Sequence, residues 1–266
     1  MKHILMLSVA LLLSCEKGPT EYGSAADVEF LPGMVYRYAW SSVLRDTLGN
    51  VIVETRDTVV LTVASVEETL DTLEHLIRIV VTSSSGTSEV YYRNTETALT
   101  EVAYVVGGTP LVQPSIRTIG GESKNVISSL ALAVPMSVQR FMGDRLLTRT
   151  DSVIVRDDPR IVYQYPLSSG TSWVSFSSPF IETREVIGNE YVTVPAGGKS
   201  CIKIRTDLSW GGNVEWFDYV DAQGLVKRTV QLDVIFTTQE SPETGEAAVS
   251  FEQAELLWAG FTPLQP

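Results

Sequence analysis

The sequence predicts an all-β protein, a large antiparallel curved sheet or half-barrel, with a two-sheet sandwich as the alternative. From Leu31 onward Val, Ile, Thr, Tyr and Trp recur in short runs with period-two alternation, the spacing of half-buried strands. Clusters of Gly, Asn, Asp and Ser separate the runs, as tight turns require. A third observation concerns cohesion. Apolar residues make up 44% of the chain, and of its 2 cysteines only Cys201 lies in the β-rich part, so burial must hold the core without an internal disulfide.

The elements follow in order from the N-terminus. Lys2 and His3 form a short basic start, residues 4–13 an apolar run, and Leu12-Leu13-Ser14-Cys15 follows at once. The run is too short to span a bilayer. This segment resembles the lipobox signal peptide of bacterial lipoproteins. The resemblance implies that residues 1–14 are removed, that Cys15 receives a diacylglyceryl group, and that the new amino terminus is acylated. Several acyl chains then hold the protein on a membrane, where one would not. Glu16 follows Cys15. In the enterobacterial sorting pattern an aspartate at that place retains a lipoprotein on the inner membrane, so the resemblance points to the outer one. Residues 15–29 mix Gly, Pro, Ser and charge without an apolar period, and read as a lipidated tether to a β-rich domain over 30–266.

Within that domain strands are expected at 34–40, 51–55, 58–66, 75–82, 89–93, 99–106, 138–142, 152–156, 161–165, 173–176, 181–187, 191–194, 200–207, 214–220 and 225–236. Turns are expected at 48–50, 83–86, 188–189, 197–198, 211–213 and 242–245. Residues 127–134 read equally as a short helix before Pro135 or as a loop. Residues 247–258 hold good helix formers, yet a strand there closes a hairpin with the preceding run and satisfies its backbone groups. Strand is the reading adopted.

A weak internal repeat underlies the series. Gly33-Met34-Val35-Tyr36 lines up with Gly170-Thr171-Ser172-Trp173, Ile77-Arg78-Ile79 with Ile202-Lys203-Ile204, Tyr91 with Trp216, and Leu99 with Leu225 after a gap. Two similar halves, 30–134 and 135–266, would explain it, the first holding about one hairpin more near Asn50. The stretch over 190–204, with its Val-x-Val strand and Pro195-Ala196-Gly197 turn, and Gly224-Leu225-Val226-Lys227 resemble a pattern in uncharacterised bacterial lipoproteins. That likeness implies a β-rich fold and an envelope location, and no activity.

Charge narrows the function. With 20 Lys and Arg against 32 Asp and Glu the net charge is −12, so nucleic acid is a poor partner and the acyl chains must supply any membrane affinity. Outside the leader His75 is the one imidazole, which leaves a zinc site or a Ser-His-Asp triad little to draw on. No cofactor or metal is expected. Cys201 is expected to share a strand face with Lys199, Lys203 and Arg205, cations that favour a thiolate, although an inert small hydrophobe is the simpler reading. Glu67-Glu68, Asp157-Asp158 and the pair Asp218, Asp221 read as solvated carboxylates without the burial that acid catalysis demands.

The aromatic residues Tyr36, Tyr38 and Trp40 share one face of their strand, and Trp216 and Tyr219 cluster later; together they are the candidate binding residues, though core packing explains them as well. The expected function is a non-catalytic, membrane-anchored envelope lipoprotein that binds an apolar ligand or a partner protein. A surface glycan-binding module is the alternative, and a hydrolase with an unrecognised site the third.

Overall fold

The computed structural model describes residues 28–84, 86–105, 115–119, 122–128, 153–177, 181–209, 214–237 and 246–261. They form β1 (Met34–Asp46), β2 (Val51–Leu70), β3 (Leu73–Ser83), β4 (Gly86–Asn94), β5 (Ala98–Val105), β6 (Ser115–Ile119), β7 (Glu122–Ser128), β8 (Val153–Gln164), β9 (Ser172–Phe176), β10 (Glu182–Val194), β11 (Gly197–Leu208), β12 (Val214–Asp221), β13 (Gly224–Thr237) and β14 (Glu246–Phe261), with no helix among the described residues. Twelve of these strands make one antiparallel sheet, ordered β8-β5-β4-β3-β2-β1-β14-β13-β12-β11-β10-β9 and curved into a nearly closed barrel. The β6–β7 hairpin lies off that path, β7 running parallel to β13. The curved-sheet expectation holds, and the sandwich alternative falls.

The sheet consists of two meanders of six strands, β1–β5 with β8 and β9–β14, joined by the β1–β14 ladder. The aligned sequence pairs occupy equivalent strands of the two. Gly33 and Gly170 both sit at φ +84, close a turn just before the first strand of their run, and donate their N–H at 2.8 Å to Val63 and Val186 of the second. A left-handed φ is what selects glycine at both places. Because β8 pairs with β5, the first run extends to Gln164, and the change between runs falls at 165–171 rather than 134/135.

At the free ends of the path β8 and β9 adjoin, and no ladder between them is present among the described residues. Side chains bridge the seam instead. Trp173 Nε1 and Ser175 Oγ donate to the Ile161 carbonyl at 3.1 and 2.7 Å, and Arg184 Nη1 to the Val162 carbonyl at 3.0 Å. These bonds satisfy edge carbonyls that a sheet end otherwise leaves bare.

Several expected pairs of strands are single long ones. Residues 51–55 and 58–66 merge in β2, 152–156 and 161–165 in β8, and 181–187 and 191–194 in β10. The expected turn at 188–189 is a bulge: Gly188, at φ +146, marks a register shift in β10. Pro159 lies in the bulged stretch of β8 opposite Glu101 and Ala103. Pro159 is tolerated because β8 is a terminal strand. The 127–134 segment begins in β7, and the remainder, like the expected strand at 138–142 and the turns at 211–213 and 242–245, lies outside the described residues. Strands β6 and β7 were not expected. Residues 247–258 form β14, as read.

Alternate residues of each strand fill the lumen, Tyr36, Tyr38, Trp40, Ser42 and Leu44 on β1 for example. Strand direction places Val28, the β4–β5 turn, Tyr165, the β12–β13 turn and the β10–β11 tip at one end. The chain closes that end on itself. Val28 N donates to Tyr165 Oη at 3.1 Å, and the Val28 carbonyl accepts from Asn94 Nδ2 at 3.0 Å. From the β10–β11 tip Ala196 N reaches the Leu256 carbonyl of β14 at 3.0 Å.

Candidate functional site

Beneath Val28 the lumen holds a cavity of about 110 Å³. Its upper wall is apolar and aromatic, with Phe30, Leu61, Ile79, Tyr36 and Tyr38; its floor is charged, with Glu101, Arg160, Arg184 and Arg228. All four floor residues are buried. Alternation explains how they come to face inward. Arg228 shares parity with Val226, Val230 and Leu232, Asp218 with Trp216 and Val220, and Arg184 with Glu182 and Val186.

Ladder register then brings opposite charges together. Asp218 lies directly across from Arg228, and Glu101 across from Arg160. Arg228 grips Asp218 with Nε and, at 2.6 Å, Nη2, and Trp216 Nε1 donates to the same carboxylate at 3.0 Å. Glu182 accepts from Arg160 Nη2 at 2.9 and 3.0 Å and from Arg184 Nε at 2.8 Å. Arg156 donates to Glu101 Oε1 through Nε at 2.8 Å. Arg228, Arg184 and Arg160 stand 5.1, 5.5 and 5.9 Å from the Trp216 ring centroid, distances at which a guanidinium gains from the ring quadrupole.

The titration behaviour follows from this packing. Burial works to raise the Glu182 carboxyl, yet Arg160 and Arg184 outweigh it and hold it at about 2. Burial opposes ionisation of Asp218 too, and Arg228 with its hydrogen bonds overcomes it, so that carboxyl is lowered. Glu252, on the same lumen face further in, meets burial against Arg228 alone and is pushed up to about 8. Burial raises the Tyr36 phenol to about 12, with Asp221 and Glu29 adding to it, and Tyr38 also lies well above its ordinary value, chiefly through burial. Both tyrosines are therefore neutral hydroxyls. Tyr38 Oη donates to the Leu225 carbonyl at 2.8 Å.

Glu182 and Asp218, next to the floor arginines, are held as their ionised partners. Among the described residues no group of three or more His, Cys, Asp or Glu side chains is placed to hold a metal.

Of the aromatic candidates, Tyr36 and Tyr38 line the cavity. Trp40 and Trp216 are buried in the lumen outside it, Trp216 beneath the arginines. Tyr219 alternates with Asp218 and Val220 and takes the other face of β12, where Lys203 Nζ lies 5.3 Å from its ring. Cys15 lies outside the described residues.

One expectation is corrected here. Asp218 is not solvated but fully buried, because it occupies a core-parity position and its partner arginine is delivered by the next strand. Cys201 fits the simpler of its two readings, a small buried residue: it packs with Ile202, Ile204 and Val192, and burial, reinforced by Asp221 and opposed by Lys199, pushes its thiol up to about 12. His75 is an exposed hairpin histidine, as read, at φ +55 and 2.6 Å from Glu67, whose hydrogen bond raises its pKa.

Sequence reading missed Arg160, Arg184, Arg228, Glu101 and Glu182. For Arg228, between Val226 and Val230, and Glu101, between Leu99 and Ala103, the usable signal was parity, a charged residue whose strand neighbours two away are apolar. Arg160, Arg184 and Glu182 each have a charged neighbour two away and carry no such signal.

No protein-family model matches the chain. No curated protein is similar to it. Among solved structures, one similar chain is a Bacteroides fragilis protein of YmcC-like fold, described as a supposed exported protein; it is 11% identical, with 89% of this chain and 99% of that one covered, at a TM-score of 0.35.

Proposed function

We propose that the protein is a lipid-anchored, non-catalytic envelope lipoprotein, sited at the outer membrane, that holds a small, largely apolar ligand in its barrel lumen. The observation that carries this reading is the cavity under Val28, walled by Phe30, Leu61 and Ile79 and floored by paired charge. Pockets of this make-up, mostly apolar with a few convergent polar groups, are the usual form of small-molecule sites. Burial of Tyr36, Tyr38 and Trp40 argues against the glycan-binding alternative in its surface form, which needs aromatic faces open to solvent. The paired floor argues against a hydrolase.

Val28 is pinned at the cavity end of the barrel, and the chain from Cys15 to Val28 spans at most about 45 Å when fully extended, which bounds the distance between the mouth and a lipidated Cys15. Replacing Cys15 by Ala is expected to release the protein from membranes, or leave it unprocessed, and to abolish incorporation of labelled fatty acid. Label that persists in the Cys15→Ala protein overturns the anchor.

The ligand reading is tested on the mature chain with 1-butanol, a probe of five heavy atoms, followed by methyl NMR. Saturable shifts at Leu61 and Ile79 are expected, and their loss in a cavity-filling Ile79→Phe variant that keeps the wild-type sheet signature. Shifts absent, or unchanged in that variant, remove the lumen as a site.

A further inference from the structure

Outside the cavity, the Val28 end of the barrel carries a rim of exposed apolar side chains. Leu31, Tyr191, Trp258 and Phe261 are 41, 71, 43 and 55% exposed. Three of them follow one another along the end of the β1–β14 ladder. The Leu31 carbonyl accepts from Met34 N at 3.1 Å, Met34 pairs with Phe261, and on the same strand Trp258 pairs with Arg37. Tyr191 belongs to the β10–β11 tip, which the bond from Ala196 N to the Leu256 carbonyl ties to β14. Val192 and Val194 of that tip are buried, so Tyr191, of opposite parity to both or not, is separated from them by its exposure alone.

The two larger rings are bedded on backbone. Trp258 lies over Gly260 and Tyr191 over Gly198, where an added β-carbon would clash with Trp258 Cζ2 and Tyr191 Oη. Neither glycine has a left-handed φ, so room for the ring, and not backbone freedom, is what glycine supplies at these two places. The Arg37 guanidinium stands 5.8 Å from the Trp258 centroid, which sets a cation beside the apolar rim.

A lipid surface is the occupant these features fit. The segment over 15–27, which leads back to Cys15, joins the barrel at Val28 on this same end. Trp and Tyr favour the headgroup layer, where an apolar body meets a wet edge. Charge beside the rim is paired, Lys199 with Asp221 at 3.5 Å and Lys203 with Glu190 and Lys227 with Glu255 at 2.9 Å each. The acidic β2–β3 hairpin packs elsewhere. Its Leu70 and Leu73 lie against Leu76, Tyr91 and Ala103, a cluster on the outer face of the sheet, and Glu68 reaches Arg78 at 3.6 Å. A sugar would find no hydrogen-bonding group on Leu31 or Phe261.

We propose that this rim rests on the lipid bilayer, with Leu31, Tyr191, Trp258 and Phe261 at headgroup level and the cavity end of the barrel turned toward the membrane. This deepens the lipid-anchored reading and rests on it. A tether of at most about 45 Å keeps the rim at high effective concentration over the surface, so a contact too weak to hold a free protein is populated.

The test couples Cys15 of the mature chain to a maleimide-bearing phospholipid in vesicles of phosphatidylcholine and phosphatidylglycerol. This supplies the anchor whether or not the cell does, and Cys201, being buried, does not compete. With bromine on the acyl chains close to the headgroups, quenching of tryptophan emission is expected in the wild-type chain. More than half of it is expected to be lost in Trp258→Phe, because Trp40, Trp173 and Trp216 are buried. A similar loss is expected when Leu31 and Phe261 are both replaced by Glu; that double variant keeps every tryptophan and decides if Trp258→Phe fails to fold. Quenching absent from the wild-type chain, or unchanged in the variants, overturns the docking and leaves the anchor to the fatty-acid label on Cys15. A chain that takes no fatty acid in cells yet is quenched when coupled removes the anchor alone. Trp258 emission that shifts without vesicles, on adding a soluble maltooligosaccharide or on raising the protein concentration, assigns the rim to a sugar or to a second copy and overturns the lipid assignment.

Discussion

Replacing Glu182 by Ala is expected to destabilise the barrel by about 3–5 kcal/mol, the range found when one partner of a buried ion pair is removed. Glu182 is fully buried and is bonded by Arg160 of β8 and Arg184 of β10. Its loss strands two guanidinium groups inside the lumen, of which Arg184 retains Asp218 at 3.5 Å and the Val162 carbonyl. Arg160 retains only the face of Trp216 among its contacts above. The position of the pair matters as much as its burial. It crosses the seam where β8 and β9 meet without a ladder, so the energy lost there is energy that closes the barrel. Urea unfolding should show the lowered midpoint, and hydrogen exchange should show the first loss of protection in β8 and β9. Glu182→Gln, which keeps the shape and one acceptor, should fall between. A Glu182→Ala protein within 1 kcal/mol of wild type, a surface-like value, would mean that the seam is held by the Trp173, Ser175 and Arg184 bonds to β8 carbonyls without help from the charge.

The class of fold was legible because alternation is a local property: each strand states its own two faces. The curvature was partly legible for the same reason, since the aligned glycines at 33 and 170 mark equivalent turns. What was lost lay in bulges and in partners. Gly188-Asn189 and Asp157-Asp158-Pro159 carry turn chemistry, and only pairing with a neighbour decides whether such residues reverse the chain or merely kink a strand. β11 carries β10 through Gly188 with a register shift, and β5 carries β8 through Pro159. The charged floor was hidden for a related reason. Asp218 on its own reads as solvated, and its burial becomes affordable only when β13 places Arg228 opposite it, a match set by the register of the β12–β13 hairpin. The aromatic candidates show the converse. Parity found Tyr36 and Tyr38 correctly as a shared face, but Tyr219 was grouped with Trp216 by nearness in sequence, and three residues apart on a strand means opposite faces.

Stability should also pass through a maximum near pH 4–5 as far as the lumen charges govern it, with Glu252 setting the alkaline side. Glu252 sits between Val230 of β13 and Ser42 of β1 in the ladders, its Oε1 has no hydrogen-bond partner among the described residues, and Arg228 is the one charge opposing its burial. Its folded pKa of about 8 lies above the ordinary 4.5, so between those values the folded chain holds a proton that the unfolded chain has released. Stability therefore falls as pH rises through that window and levels off above 8. The size is on the order of 3–5 kcal/mol at 1.36 kcal/mol per pH unit. Glu182 has the opposite sign. Its folded value of about 2 lies below 4.5, so its contribution is full above 4.5 and is lost as pH drops toward 2. Glu252→Gln removes the alkaline arm alone. The variant is expected to match wild type near pH 5 and to exceed it by on the order of 3–5 kcal/mol at pH 9, read as the difference in urea midpoints between the two proteins at each pH, which cancels the background from surface carboxylates. A difference that stays constant from pH 5 to 9 would show that Glu252 is ionised in the folded barrel throughout, and would require Arg228 to divide itself between Asp218 and Glu252.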